Sequence, residues 1–172
     1  MRHKDRTEVI ILLIRRFVDN DAEQISELIG RNFIEVNSKD YSLDEMIKKS
    51  KEFSPEKVRH RAKNGHMYVV CERGTVIGTG TISDYWGSTK ESILLTIFVT
   101  PEYQGREIGR KIIETLEADE FFIRAKRVEV CASITACGFY EKCGYKYKDG
   151  VKILDKEGHY RIEKYNPMIR GE

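Results

Sequence analysis

The stretch from Leu94 to Ile113, LLTIFVTPEYQGREIGRKII, constrains this chain more than any other. Its apolar, β-branched start reads as a buried strand, Pro101 stops it, and a glycine-containing loop opens a helix. The first turn of such a helix has unpaired N–H groups and roughly half a positive charge, so a strand, loop and helix in this order build an anion site. Gly105 and Gly109 let a ligand approach the backbone closely. The charge order adds a separate clue, because Arg106, Arg110 and Lys111 crowd the helix start while Glu114, Glu117, Asp119 and Glu120 fill its second half. The helix dipole prefers the reverse order, at a few tenths to about 1 kcal/mol per misplaced charge. A bound pyrophosphate would offset this. A pair between Arg110 and Glu114 would supply about 0.2–0.5 kcal/mol without any ligand.

The elements around this segment alternate between strand and helix. Val9 to Val18 reads as a strand, Ala22 to Val36 as a helix with Ile25, Leu28, Ile29 and Phe33 on one face, and Ser42 as the cap of a helix reaching Phe53. Ser54-Pro55-Glu56 opens a third helix with proline at its first position. His66 to Glu72 and Thr75 to Tyr85 form a hairpin across Arg73-Gly74, followed by the Ser92 to Val99 strand. A long helix from Gly105 to Ala125, a strand from Arg127 to Ser133 and a short helix from Thr135 to Cys143, ended by Gly144, come next. Tyr145 to Leu154 and His159 to Asn166 close the chain as a hairpin. With 172 residues, 40% hydrophobic and 34% charged, the expectation is one α/β domain over 1–172, a mixed and mostly antiparallel sheet flanked by helices.

Several function classes drop out. A net charge of +2 gives no electrostatic reason for nucleic acid binding. The longest apolar run, Val9 to Ile14, is far below the roughly 20 residues of a membrane helix, and Glu8 spoils a signal-peptide reading of the basic start. Cys71, Cys131, Cys137 and Cys143 lack CxxC spacing and read as reduced thiols of a cytoplasmic protein, and His3, His60, His66 and His159 stand singly, so no metal site is expected. Gly78-Thr79-Gly80-Thr81 half matches a dinucleotide fingerprint, but it lies inside a strand, where that motif has no helix to open.

Two segments together resemble the GNAT superfamily of N-acetyltransferases. The first is Gln104-Gly105-Arg106-Glu107-Ile108-Gly109, similar to the family's [QR]-x-x-G-x-[GA] motif, after a strand ending Val99-Thr100-Pro101. The second is Ser133-Ile134-Thr135-Ala136-Cys137-Gly138-Phe139-Tyr140-Glu141-Lys142-Cys143-Gly144-Tyr145, at the matching distance. The resemblance implies that acetyl-CoA is the co-substrate. Gln104, Gly105, Arg106, Ile108, Gly109 and Arg110 would hold its pyrophosphate, and the backbone of Ile97, Phe98 and Val99 would pair with its pantetheine arm in a splayed gap beside Arg127 to Ser133. A backbone N–H near Phe98 would then meet the thioester oxygen. Ser133 stands where many members carry an asparagine that contacts the arm. Tyr140 takes the role of proton donor to the departing thiolate, with Phe139 beside it in the core. Glu107 occupies the family's usual central glycine and opposes a pyrophosphate unless it turns to solvent or pairs with an arginine.

The implied reaction is direct attack of a primary amine, of a small molecule or a peptide, on acetyl-CoA. Glu91, Asp84 and Glu72 are candidates for the base, and Tyr85 and Trp86 for lining the acceptor site. A non-catalytic CoA-binding module is the alternative, sharing Gln104 to Arg110 and differing at Tyr140 and in whether an acceptor pocket exists. A purely structural domain would bind no CoA. No membrane partner is expected, and a homodimer is left open.

Overall fold

The computed structural model describes residues 11–169. Val9 and Ile10 of the first expected strand lie outside the described residues. Strand β1 (Leu12–Arg16) is followed by α1 (Ala22–Arg31), α2 (Leu43–Ser50), α3 (Pro55–Lys63), β2 (His66–Glu72), β3 (Thr75–Asp84) and β4 (Glu91–Val99). Then come α4 (Ile108–Glu117), α5 (Glu120–Ile123), β5 (Arg127–Ser133), α6 (Cys137–Lys142), β6 (Lys146–Tyr147) and β7 (His159–Tyr165). Among the described residues the strands form one seven-stranded sheet in the order β1-β2-β3-β4-β5-β7-β6. Every neighbouring pair is antiparallel except β4 with β5, which run parallel.

Period-two alternation assigns each strand residue to one of two cores. Met67, Val69 and Cys71 of β2 meet Ala22, Ile25 and Ile29 of α1, Met46 of α2 and Val58 of α3 on one face. Val70 of β2, Ile82 of β3, Leu94 of β4, and Val128 and Val130 of β5 meet Ile108, Ile112, Ile113 and Leu116 of α4 on the other. Each such buried aliphatic side chain contributes about 1.5–3 kcal/mol. The Gly78 and Gly80 pair is explained here: a Cβ on Gly80 would stand 2.4 Å from Ile112 Cγ2, and one on Gly78 would stand 3.0 Å from Ile112 Cδ1. The two glycines let α4 lie directly on the sheet.

Where neither helical layer reaches, β5 and β7 bury charge instead. Glu129 is fully buried and accepts from Arg127 Nη1 at 2.6 Å, from Lys148 Nζ at 3.3 Å and from Arg161. Arg127 also donates to Glu91 at 2.7 Å and Glu163 at 3.0 Å, joining β4, β5 and β7. Burial alone would raise the Glu129 pKa, but the hydrogen bonds from Arg127 and Arg161 outweigh it and hold the carboxyl below its ordinary range.

Two expected elements differ. The long helix ends at Glu117, because Asp119 leaves the helical path to cap α5 through the Phe121 N–H at 2.9 Å and to accept from Tyr68 Oη at 2.7 Å. His66 Nδ1 stands 2.8 Å from the same carboxylate, so contacts with β2 override a continuous helical pattern. The closing hairpin is reduced to the two-residue β6 and a Leu154 to Tyr160 bridge, since Lys148–Gly150 turn through a 3₁₀ segment with Asp149 at positive φ. The Ser42 and Ser54 caps form, accepting from the N–H groups of Glu45 and Lys57.

The Gly80 contact gives a direct test. Gly80→Ala forces Ile112 off the sheet and is expected to cost about 1–3 kcal/mol, read as a lower midpoint in chemical denaturation. An unchanged midpoint would mean that α4 is not seated on these glycines.

Candidate cofactor site

The site begins where β4 leaves β5. Their pairing runs only from Glu91 with Arg127 to Leu94 with Val130. Past Leu95 the register of β4 on β3 also shifts, so that Leu95 faces Thr81 but Phe98 faces Thr79. Thr96 sits in this bulge at φ 51°, a left-handed conformation that is rare for a β-branched residue, and its hydroxyl meets that of Thr81 at 2.6 Å. The strand bends toward β3 and a groove of about 420 Å³ opens against Ser133 and α6.

Hydrogen-bond alternation decides which backbone groups face that groove. The Thr100 N–H donates to Ile77 O at 2.9 Å, and Phe98 lies opposite Thr79 two residues back, so both residues spend their backbone groups on β3. Ile97 and Val99 therefore face the gap. The expectation that the Phe98 backbone pairs with the arm is corrected: that backbone belongs to the sheet, the N–H near it that faces the gap is that of Val99, and the Phe98 ring packs against Phe33 at 5.5 Å and Phe53 at 6.3 Å. The Val99 carbonyl is held from outside the sheet, accepting from Asn32 Nδ2 at 3.0 Å and Gln104 Nε2 at 3.2 Å. Gln104 also donates to Asn32 Oδ1 at 3.0 Å, so its side chain fixes the end of β4. Asn32 escaped sequence reading because a polar residue on a helix looks solvated. Here α1 continues as a π turn over Asn32–Val36, and Asn32 is buried beside the strand end.

At the mouth of the groove lies the start of α4. Gly105 at φ 74° and Glu107 at φ 62° turn the chain, and the first helical bond runs from the Lys111 N–H to Glu107 O at 3.0 Å. The N–H groups of Ile108, Gly109 and Arg110 precede that bond and have no helical acceptor. Gly109 gives the Phe139 ring close access to α4, since a Cβ there would stand 3.0 Å from Phe139 Cζ. Arg110 Nε donates to the Glu107 carboxylate at 2.7 Å rather than to Glu114. Two expected contributors bring no side chain to the groove: the Arg106 guanidinium is 5.1 Å over the Tyr103 ring, and the Ile108 side chain is buried under the sheet. The reversed charge order is partly compensated within the protein, because Lys164 Nζ donates to Glu117 at 2.8 Å and Asp119 stands outside α4.

Tyr140 and Ser133 form the far wall. Ser133 Oγ accepts from the Ala136 N–H at 3.2 Å, which fixes the turn into α6. Tyr140 is buried, lines the groove and packs its ring 5.1 Å from Phe139 and 6.1 Å from Tyr145. Among the described residues no protein group hydrogen-bonds its hydroxyl, and burial pushes its pKa up, so the phenol stays protonated. Phe139 is not wholly core, since it also lines the groove.

The expected bases and acceptor aromatics do not reach this groove. Glu91 is paired with Arg127, Glu72 accepts from the Tyr103 hydroxyl, and Asp84 accepts from Ser83 Oγ at 3.1 Å. Tyr85 lies under Arg127 with its hydroxyl 3.2 Å from Arg161 Nη2, and Trp86 is 74% exposed. No helix among the described residues is long and apolar enough to cross a membrane.

Comparison with known proteins agrees with this geometry. Residues 63–147 match the model of the acetyltransferase (GNAT) domain family. Comparison with curated proteins gives no match. The fold is similar to that of the PaiA N-acetyltransferase of Thermoplasma acidophilum, solved in complex with coenzyme A, at 20% identity and TM-score 0.76 over 91% of this chain and 99% of that one. A GCN5-related N-acetyltransferase from Rhodopseudomonas palustris superposes at TM-score 0.74 with 19% identity, over 90% and 95% of the two chains. A GNAT-family acetyltransferase from Staphylococcus aureus does so at 0.68 with 15% identity, over 90% and 99%. Residues 63–147 therefore match the GNAT acetyltransferase domain family, and the chain around them has the GNAT fold.

Proposed function

We propose that this chain transfers an acetyl group from acetyl-CoA to a primary amine by direct attack. The observation that carries the reading is the continuity of the groove, which joins the unpaired N–H groups at the start of α4 to the free strand edge at Ile97 and Val99. A pyrophosphate fits the first feature through charge and hydrogen bonding. An extended chain of amides fits the second as an added strand would.

In this reading the N–H groups of Ile108, Gly109 and Arg110 hold the pyrophosphate, with the Gly105 turn leaving room for it. Arg106 contributes general positive potential rather than contact, and Ile108 contributes its backbone alone. Gln104 and Asn32 act by occupying the Val99 carbonyl, which leaves the Val99 N–H for the ligand. That N–H meets the thioester oxygen as negative charge grows there. The amine nitrogen bonds to the acyl carbon as the carbon–sulfur bond breaks. One proton leaves the nitrogen and one reaches the sulfur, supplied by the Tyr140 hydroxyl. Burial raises the phenol pKa, and the same apolar surroundings raise that of a thiolate leaving beside it, so the transfer does not become steeply uphill.

Two predictions follow from this arrangement. Glu107→Gly removes a carboxylate from the anion site and relieves a left-handed conformation worth roughly 1–2 kcal/mol, so the variant is expected to melt higher and to bind CoA about two- to fivefold tighter. Calorimetry showing clearly weaker binding would mean that the Glu107–Arg110 pair helps to hold the ligand. Tyr140→Phe keeps the ring packing and deletes only the proton donor. Single-turnover transfer from acetyl-CoA is expected to slow by about 10²-fold or more with CoA affinity unchanged. A wild-type rate in that assay would make Tyr140 a packing residue.

A further inference from the structure

A second cavity of about 420 Å³ opens beside the same bulge, on the α3 side. Thr81, Leu95 and Thr96 form its floor, and Lys57, His60 and Arg61 form its wall. Spacings of three and four residues put these three side chains on one face of α3. No carboxylate lines the cavity. Elsewhere Arg15, Arg31, Arg110, Arg127 and Arg161 pair with acids, as does Arg59 on α3 itself with Glu23 at 2.6 Å, whereas Arg16, Arg106 and Arg124 stack on aromatic rings. Among the described residues the Arg61 guanidinium meets only the Phe53 ring, at 4.5 Å, and Lys57 Nζ only the Lys51 carbonyl, at 3.5 Å. The wall therefore presents cationic groups with no counter-charge of their own.

The two cavities share one strand. Ile97 to Val99 line the groove described above, and Leu95 and Thr96, the residues immediately before them, line this one. An acyl carbon held against the edge at Ile97 and Val99 lies next to the bulge, and a nucleophile standing in the second cavity reaches it past Thr96. The structure assigns the second cavity to the acceptor, and we infer that the acceptor is a primary amine that also carries an anionic group, a carboxylate or a phosphate, bound by Lys57 and Arg61. The inference rests on the acetyl-transfer reading and adds the acceptor's chemical class to it. The anion anchors the molecule against α3, and its amine end crosses the floor to the acyl carbon. There the nitrogen forms the new carbon–nitrogen bond, the carbon–sulfur bond breaks, and the proton shed by nitrogen passes to the imidazole of His60 or to water.

The test compares acetyl transfer to β-alanine, phosphoethanolamine, ethanolamine and putrescine at saturating acetyl-CoA, in the wild type and in a Lys57→Gln, Arg61→Gln double variant. Both replaced side chains are exposed, and CoA affinity checks that the variant is folded. For one or both anionic amines the wild type is expected to show kcat/KM about tenfold or more above those for ethanolamine and putrescine, the effect of charge-assisted hydrogen bonds. In the variant that ratio is expected to fall toward one. The faster of the two anionic amines distinguishes carboxylate from phosphate recognition. A preference for ethanolamine or putrescine, or a ratio that survives in the variant, overturns the acceptor assignment while leaving acetyl transfer standing. CoA binding without thiol release for any of the amines overturns both.

Discussion

Everything in the site depends on β4 parting from β5 after Leu94. Parallel strands normally hold each other through a continuous ladder, and opening one costs backbone hydrogen bonds on both edges. The fold compensates in three places. On one side Gly78 and Gly80 let α4 press onto the sheet, so the bend toward β3 is backed by Ile108, Ile112 and Leu116. At the bend, Thr96 takes a left-handed conformation and its hydroxyl bonds to Thr81. At the far end Asn32 and Gln104 satisfy the Val99 carbonyl. What remains exposed is a short strand edge with donors and acceptors but no partner, and a ligand can act as the missing strand.

Electrostatics follows the same division of labour. The buried cluster around Glu129 ties β4, β5 and β7 together below the split, where the strands must stay joined. Removing one member of such a cluster leaves an uncompensated buried charge, which typically costs about 3–5 kcal/mol. Above the split, the start of α4 carries free N–H groups, and the exposed Glu107 and Arg110 neutralise one another. Exposed pairs of this kind contribute about 0–1 kcal/mol, so an arriving anion can displace the pairing at little cost.

The fold was legible because its signals are local and periodic. Ser42, Ser54 and Pro55 mark helix starts, Arg73-Gly74 marks a turn, and Leu94 to Ile113 carries strand, stop, glycine loop and helix in order. The glycine turn that opens α4 was readable for the same reason, since an N-terminal turn is made of consecutive residues. Long-range choices were not. Asp119 breaks α4 because His66 and Tyr68 wait on a strand more than fifty residues earlier, which no helical periodicity encodes. Asn32 and Gln104 meet over a distance of 72 residues, so neither spacing nor composition pairs them. Ile97, Phe98 and Val99 could only be named together, because strand register, not sequence, decides which backbone groups face the gap. The glycines at 78 and 80 failed the nucleotide-motif test on sequence context, but the helix that requires them was not visible there.

Amide hydrogen exchange with and without CoA tests the central claim most directly. Without ligand, the Val99 amide and those of Gly109 and Arg110 are expected to exchange freely, while the Phe98 amide, bonded to β3, is protected. With CoA bound, Val99, Gly109 and Arg110 are expected to gain protection together and Phe98 to stay as it was. A Val99 amide already protected in the free protein, or one that CoA leaves unchanged while the α4 amides respond, would contradict the account, because the split strand edge and the helix start would then not form one site.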